Sequence, residues 1–186
     1  MSPILIGIVV VGVVLLLWAL AAYNGLVRLR NQVKNAWAQI DVQLKRRHDL
    51  IPNLVETVKG YAAHEKETLQ NVVQARSQAV SAQGVASQAR AEGELSNALS
   101  RLMMVVEQYP DLKANQNFLA LQEELTSTEN KLSFSRQFYN DTVMRFNTKI
   151  QSVPTNIIAG MFNFDEEEFF ELQDQAAREV PKVSFS

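Results

Sequence analysis

The chain has 186 residues, 47% of them apolar and 20% charged, with a formal net charge of −2. That length is one domain's worth with room for an appendage. Cysteine is absent, which excludes a disulfide framework, thiolate-held zinc or iron–sulfur, and thiol catalysis, and the near-zero net charge argues against a nucleic-acid binder. Seven Gly and five Pro suit a few long helices better than a turn-rich β protein.

The apolar share is unevenly spread. Residues 1–22 hold no charged side chain and 18 apolar ones, leaving about 42% apolar in the remainder, close to the globular average. Ile4 to Ala22 is a 19-residue uncharged run, which as a helix covers about 28 Å of the roughly 30 Å hydrocarbon core. Trp18 and Tyr23 lie near its end, where amphipathic rings favour the headgroup layer. Ala19-Leu20-Ala21 would serve as a signal-peptide cleavage site, but Met1-Ser2-Pro3 lacks a basic residue and the apolar run is longer than usual, so residues 1–25 are expected to be a retained transmembrane anchor. Arg28, Arg30 and Lys34 follow the span and no basic residue precedes it. The positive-inside rule then puts the N-terminus outside and the body in the cytoplasm.

Residues 26–154 read as a helical bundle. Leu26, Val33, Ile40, Arg47, Leu54 and Tyr61 recur every seven residues, with a companion column through Arg30, Trp37, Leu44, Ile51 and Val58; two such columns form one side of a helix. The register predicts a long helix leaving the membrane, kinked or interrupted at His48–Pro52 and resuming as far as Arg76. Residues 77–93 are small and polar with Gly84 and Gly93, the signature of a flexible connection or weak hairpin tip. Leu95, Leu99, Leu102, Val106 and Tyr109 form a third stripe, stopped by Pro110. In the last long helix Phe118, Leu125, Leu132, Tyr139, Phe146 and Val153 are seven apart and Pro154 ends the run, a packing seam whose strict period implies left-handed supercoiling. Asn140 and Asn147 repeat beside it, as polar residues that fix register do. Residues 155–186 form a tail with an apolar patch, Ile157–Phe164, an acidic cluster, Asp165–Glu168, and a short helix expected to begin near that cluster.

The search for chemistry returns little. His64-Glu65-Lys66-Glu67-Thr68 begins like a zinc-protease motif, but Thr68 stands where the second histidine belongs. Neither histidine follows a glutamate by three residues, so the di-iron pattern is missing too. Phosphate-loop and serine-hydrolase signatures are absent. Glu123-Glu124 and Asp165–Glu168 read as solvated acidic faces, and Asn140-Asp141-Thr142 is a sequon only in composition, lying inside a helix. No enzyme, metal or cofactor is expected. Lys45-Arg46-Arg47-His48 is the one dense basic patch. It reads either as a contact for anionic lipid or nucleic acid, through Lys45 and Arg46, or as structure. The structural reading is favoured, because Arg47 occupies an otherwise apolar column and must turn inward to an acid. Glu129 is the suggested partner, within a polar network of Arg47, Gln122, Glu129 and Arg136.

The run Tyr23-Asn24-x-Leu26-Val27-x-Leu29-Arg30-Asn31, then Ala36-Trp37-x-Gln39-Ile40-Asp41-Val42-Gln43-Leu44-Lys45-Arg46-Arg47 and Asp49-Leu50-Ile51-Pro52-Asn53-Leu54-Val55, resembles the bacterial LemA family. So do Tyr109-Pro110-Asp111-Leu112-Lys113-Ala114-Asn115-x-Asn117-Phe118, Gln122-x-Glu124-Leu125 and Thr128-Glu129-Asn130-Lys131. Ser135 departs from the alanine expected there and keeps the seam small. The resemblance implies a single-pass inner-membrane protein with a long-helix bundle and no established enzymatic activity; family members are often considered alongside envelope or membrane-quality-control functions.

Together these readings predict an all-α protein: one N-terminal transmembrane helix, then a long antiparallel helical bundle with coiled-coil-like packing. The function expected is a membrane-anchored scaffold that forms a homo-oligomer at the bacterial inner membrane, contacting membrane lipid but not nucleic acid. The alternative is an accessory module that binds anionic lipid, or a membrane-protein partner such as a quality-control protease, through the basic patch and the apolar tail.

Overall fold

The computed structural model describes residues 2–171. Six helices in chain order, and no strand among the described residues, make it all-α: α1 (Pro3–Lys59), α2 (Lys66–Ser81), α3 (Val85–Val106), α4 (Pro110–Lys113), α5 (Gln116–Gln151) and α6 (Thr155–Met161). The chain divides into two compact units, residues 2–40 with 135–168, and residues 41–134 with 169–171.

In the second unit the end of α1, then α2, α3 and the start of α5 run alternately up and down. Arg76 meets His48 and Gln88 meets Ala79, pairing successive antiparallel helices, and Asn115 meets Tyr61, pairing the start of α5 with the end of α1. The core they enclose includes Ile51, Leu54, Val58, Val72, Leu95, Leu102, Leu112 and Phe118. Of the kink or interruption expected at His48–Pro52, the interruption does not occur: α1 runs through Pro52 to Lys59. Proline deprives the carbonyl four residues back of its helical donor. Here Arg76 Nε donates to that carbonyl, His48 O, at 2.7 Å, so the break in the ladder is answered from α2. The chain instead turns at residues 60–65, where Tyr61 and Ala62 both donate backbone hydrogen bonds to Val58 O. The helix expected to resume as far as Arg76 is therefore a separate one, folded back on α1.

Of residues 77–93, only 82–84 lie outside helices. Gly84 adopts φ +82° and ψ 157°, a conformation nearly confined to glycine, and this tight reversal leaves the flanking residues helical. α5 begins at a side-chain cap: Asn115 Oδ1 accepts from Phe118 N–H at 3.1 Å, while its Nδ2 donates to Tyr61 Oη at 2.9 Å.

In the first unit, Leu26, Val33, Ala36 and Ile40 of α1 are buried, as are Tyr139, Val143, Phe146 and Ile150 of α5. Trp37 meets Tyr139 edge-on at 5.4 Å. A short helix, α6, forms at the apolar patch, and residues 162–171 are not helical; the short helix expected to begin near the acidic cluster falls beyond residue 171, outside the described residues. Asn163, at φ 52°, supplies the left-handed residue that closes α6, and Phe164 N–H donates back to Ala159 O at 3.0 Å, the long bond of a Schellman motif. Phe164 thereby turns inward beside Phe146 and under Arg30, whose guanidinium lies 4.8 Å from the ring centroid. The tail then retraces α5. Glu167 exchanges two backbone hydrogen bonds with the Asn147 side chain, at 2.9 and 3.0 Å. Tyr139 Oη donates to Glu168 O at 2.8 Å. Burial, then the carboxylates of Glu167 and Glu168, push the Tyr139 hydroxyl up to about 12.

Candidate functional site

The charged column position in α1 is the root of a polar knot in the second unit. Arg47 follows Ile40 by seven residues and therefore faces the interior, where only 4% of it is exposed. Its Nη1 donates to Glu92 Oε2 of α3 at 3.1 Å and lies 3.4 Å from Glu129 Oε2 of α5, while Nη2 donates to Ser96 Oγ at 2.7 Å. The other oxygen of Glu92, Oε1, accepts from His48 Nε2 at 2.7 Å and from Gln88 Nε2 at 3.0 Å. Glu92 is wholly buried. A buried carboxylate is tolerated only when its oxygens are answered, and three donors from two helices do so here.

This arrangement is built to hold rather than to react. Both Glu92 oxygens are engaged and shielded from solvent, so a dissolved substrate has no approach to them. Among the described residues, no three His, Asp or Glu side chains converge as a metal would require.

The sequence-predicted network is only partly gathered at this point. Arg47 and Glu129 are close, but Gln122 is exposed on α5. Arg136 is buried and belongs to the first unit. Lys45 is exposed. Arg46, half exposed, pairs with Glu124 at 2.5 Å, so part of the basic patch is already neutralised. The seam residues Phe118, Leu132, Tyr139 and Phe146 are buried inside the chain's own fold, and Leu125 is half-buried. Sequence reasoning missed Glu92. The signal was present: Glu92 stands three residues before Leu95 and seven before Leu99, the first position of an apolar stripe, just as Arg47 interrupts the column in α1.

The LemA family model matches residues 36–185, which takes in the knot and most of the bundle. The chain belongs to the LemA family. It is 30% identical to the protein LemA of Metamycoplasma hominis over 137 residues, covering 73% of this chain and 63% of that protein. It is 26% identical to the magnetosome protein MamQ 2 of Paramagnetospirillum magneticum, over 89% of this chain and 70% of the relative, and 24% identical to MamQ of Magnetospirillum gryphiswaldense over the same shares. This chain thus spans a little under two thirds of the LemA relative's length. Several blocks that carry the LemA resemblance have structural tasks here: Pro52 and Arg47 in α1, Leu112 in the core, and Asn115 capping α5.

Among the described residues one helix, α1, is long and apolar enough to cross a membrane, and its most apolar window buries nothing against the rest of the described chain. An unburied window distinguishes it from the core helix of a soluble protein, whose apolar residues are covered by their own fold.

Proposed function

We propose that this LemA-family protein is a non-enzymatic scaffold, anchored by α1 in the bacterial inner membrane with its bundle in the cytoplasm, that associates with copies of itself. The observation that carries the self-association is the outer face of α5. Leu119, Thr126, Ser127 and Phe134 line a shallow open groove there, with Glu123 and Lys131. Phe134 is 73% exposed and Leu119 48%, whereas the heptad seam on the helix's other side is already filled. The small residues at the centre permit close helix approach. One acid and one base, eight residues apart, allow a second copy of the face to answer each charge with its opposite.

The test is the mass of the full chain in detergent by light scattering, against the 20.9 kDa monomer. An oligomer that survives high salt and falls to monomer in Phe134→Lys is expected. A wild-type monomer sinks the proposal, and an oligomer untouched by Phe134→Lys removes this face from it.

A further inference from the structure

We infer that α6 and its flanks form a second membrane contact, lying in the headgroup layer beside the foot of the span with Val153, Ile157, Met161 and Phe162 turned into the lipid. This deepens the anchor reading and rests on it. Ile157 and Met161 are four residues apart in α6 and share one side, 59 and 69% exposed, and Phe162 is 53% exposed; Val153, which leaves the α5 column in the turn between α5 and α6, is 80% exposed. Ile158, Ala159 and Thr155, on the other side, are buried against the unit. A short helix that buries its small and mixed side while presenting isoleucine and methionine outward is inverted for water, and suits an interface.

The occupant follows from what this face adjoins. Phe162 packs on Tyr23, ring centroids 4.7 Å apart, and Phe164 stands 5.9 Å from the same ring. Tyr23 directly follows the uncharged run Ile4–Ala22, so with the run spanning the hydrocarbon, Tyr23 sits at the headgroup boundary. The exposed face of α6 therefore continues the apolar surface of the span at that depth. No charged residue occurs from Ile150 to Phe164. The acids that follow are led away: Glu166 accepts from Gln151, Glu167 binds Asn147 and Glu168 O meets Tyr139, retracing about 18 Å of α5. Cations stay close, with Arg30 over Phe164 and Arg28 exposed nearby in sequence, as a bilayer with anionic headgroups favours.

The chain has no cysteine, so single nitroxide labels can be placed without background. Full-length Leu16→Cys, Ile157→Cys, Met161→Cys and Val42→Cys are labelled in phosphatidylcholine–phosphatidylglycerol vesicles, and accessibility to oxygen and to a water-soluble nickel chelate is measured. Val42, 63% exposed on α1, is the aqueous reference. The expected result is an oxygen-to-nickel ratio at positions 157 and 161 severalfold above that at 42, at a depth of about 5–10 Å and shallower than at 16. Ratios at 157 and 161 equal to that at 42, with 16 deep, overturn this inference and leave the anchor standing. Labels at 157 and 161 shielded from both reagents mean a protein cover, a second copy included, and overturn it too. A label at 16 that is itself aqueous overturns the anchor reading, and the inference with it.

Discussion

Replacing Glu92 by leucine, a side chain of similar volume, is the sharpest test of the buried knot. The substitution removes three hydrogen bonds at once: those from Arg47 Nη1, His48 Nε2 and Gln88 Nε2. Arg47 keeps Ser96 and Glu129, but Glu129 lies 3.4 Å away with its side chain 45% exposed, and an ion pair so open to water contributes about 1 kcal/mol at most. Breaking a buried pair from one side costs about 3–5 kcal/mol, so a net loss of about 3 kcal/mol is expected. At about 2–4 °C per kcal/mol for a chain of this size, that lowers the midpoint by roughly 6–12 °C. The measurement is thermal unfolding of the full chain in detergent, followed by helical circular dichroism. A second arm, Arg47→Met with Glu92→Leu, removes both charges together and should recover all but about 1–2 kcal/mol. A single variant melting within about 1 kcal/mol of wild type, or a double variant losing the sum of the two singles, would refute the account.

Arg76→Ala should lose about 1–2 kcal/mol, because it orphans the His48 carbonyl that Pro52 leaves without a helical donor; adding Pro52→Ala to that variant restores an N–H and should recover most of the loss in urea unfolding. The raised Tyr139 hydroxyl means the folded chain holds that proton more tightly than the unfolded one. Its contribution is whole below pH 10 and is lost as pH rises towards 12, up to on the order of 3 kcal/mol. Tyr139→Phe should therefore show a shallower alkaline loss of unfolding free energy than wild type, and an identical slope would contradict this. Asn147→Ala removes both bonds to the Glu167 backbone at about 1–3 kcal/mol, and should speed amide exchange at Glu167 well before it lowers the global midpoint.

The fold was legible where one period governs a long stretch. Leu26, Val33, Ile40, Arg47 and Leu54 are all buried, as one face of a heptad-patterned helix should be, and Phe118, Leu132, Tyr139 and Phe146 are buried along α5. The turn at 60–65 was not legible, because Tyr61 continues the same column in sequence while the chain has already reversed; Gly60 was the one local hint. The α2–α3 reversal was overdrawn for the opposite reason. Residues 77–93 carry few large apolar groups, yet Ala79 and Ala89 are buried, and small residues packed closely look like loop composition. The tail was illegible because its partners are distant: Asn147, seven from Asn140, reads as a register device between helices, but its amide pairs with backbone twenty residues onward. Glu92 was missed because an acid among small polar residues, with Glu94 two residues on, looks solvated until the stripe is extended back through it.

That pair of charged residues in apolar stripes bears on why a seam of repeating columns settles in one register. Sliding α1 by a heptad against α3 would bring Ile40 or Leu54 opposite Glu92 and leave a buried carboxylate facing hydrocarbon, at a cost of several kcal/mol. Hydrophobic columns alone would discriminate far less, since Val33, Ile40 and Leu54 are close in size and chemistry. The knot is then chiefly a device for specificity. It follows that the Arg47→Met, Glu92→Leu chain should stay nearly as stable as wild type yet lose uniqueness, with a broader thermal transition and doubled or broadened amide resonances along α1. If that chain instead melts as sharply as wild type and gives one set of narrow resonances, the columns are sufficient by themselves, and register is set by the capped turns at Gly84 and Asn115.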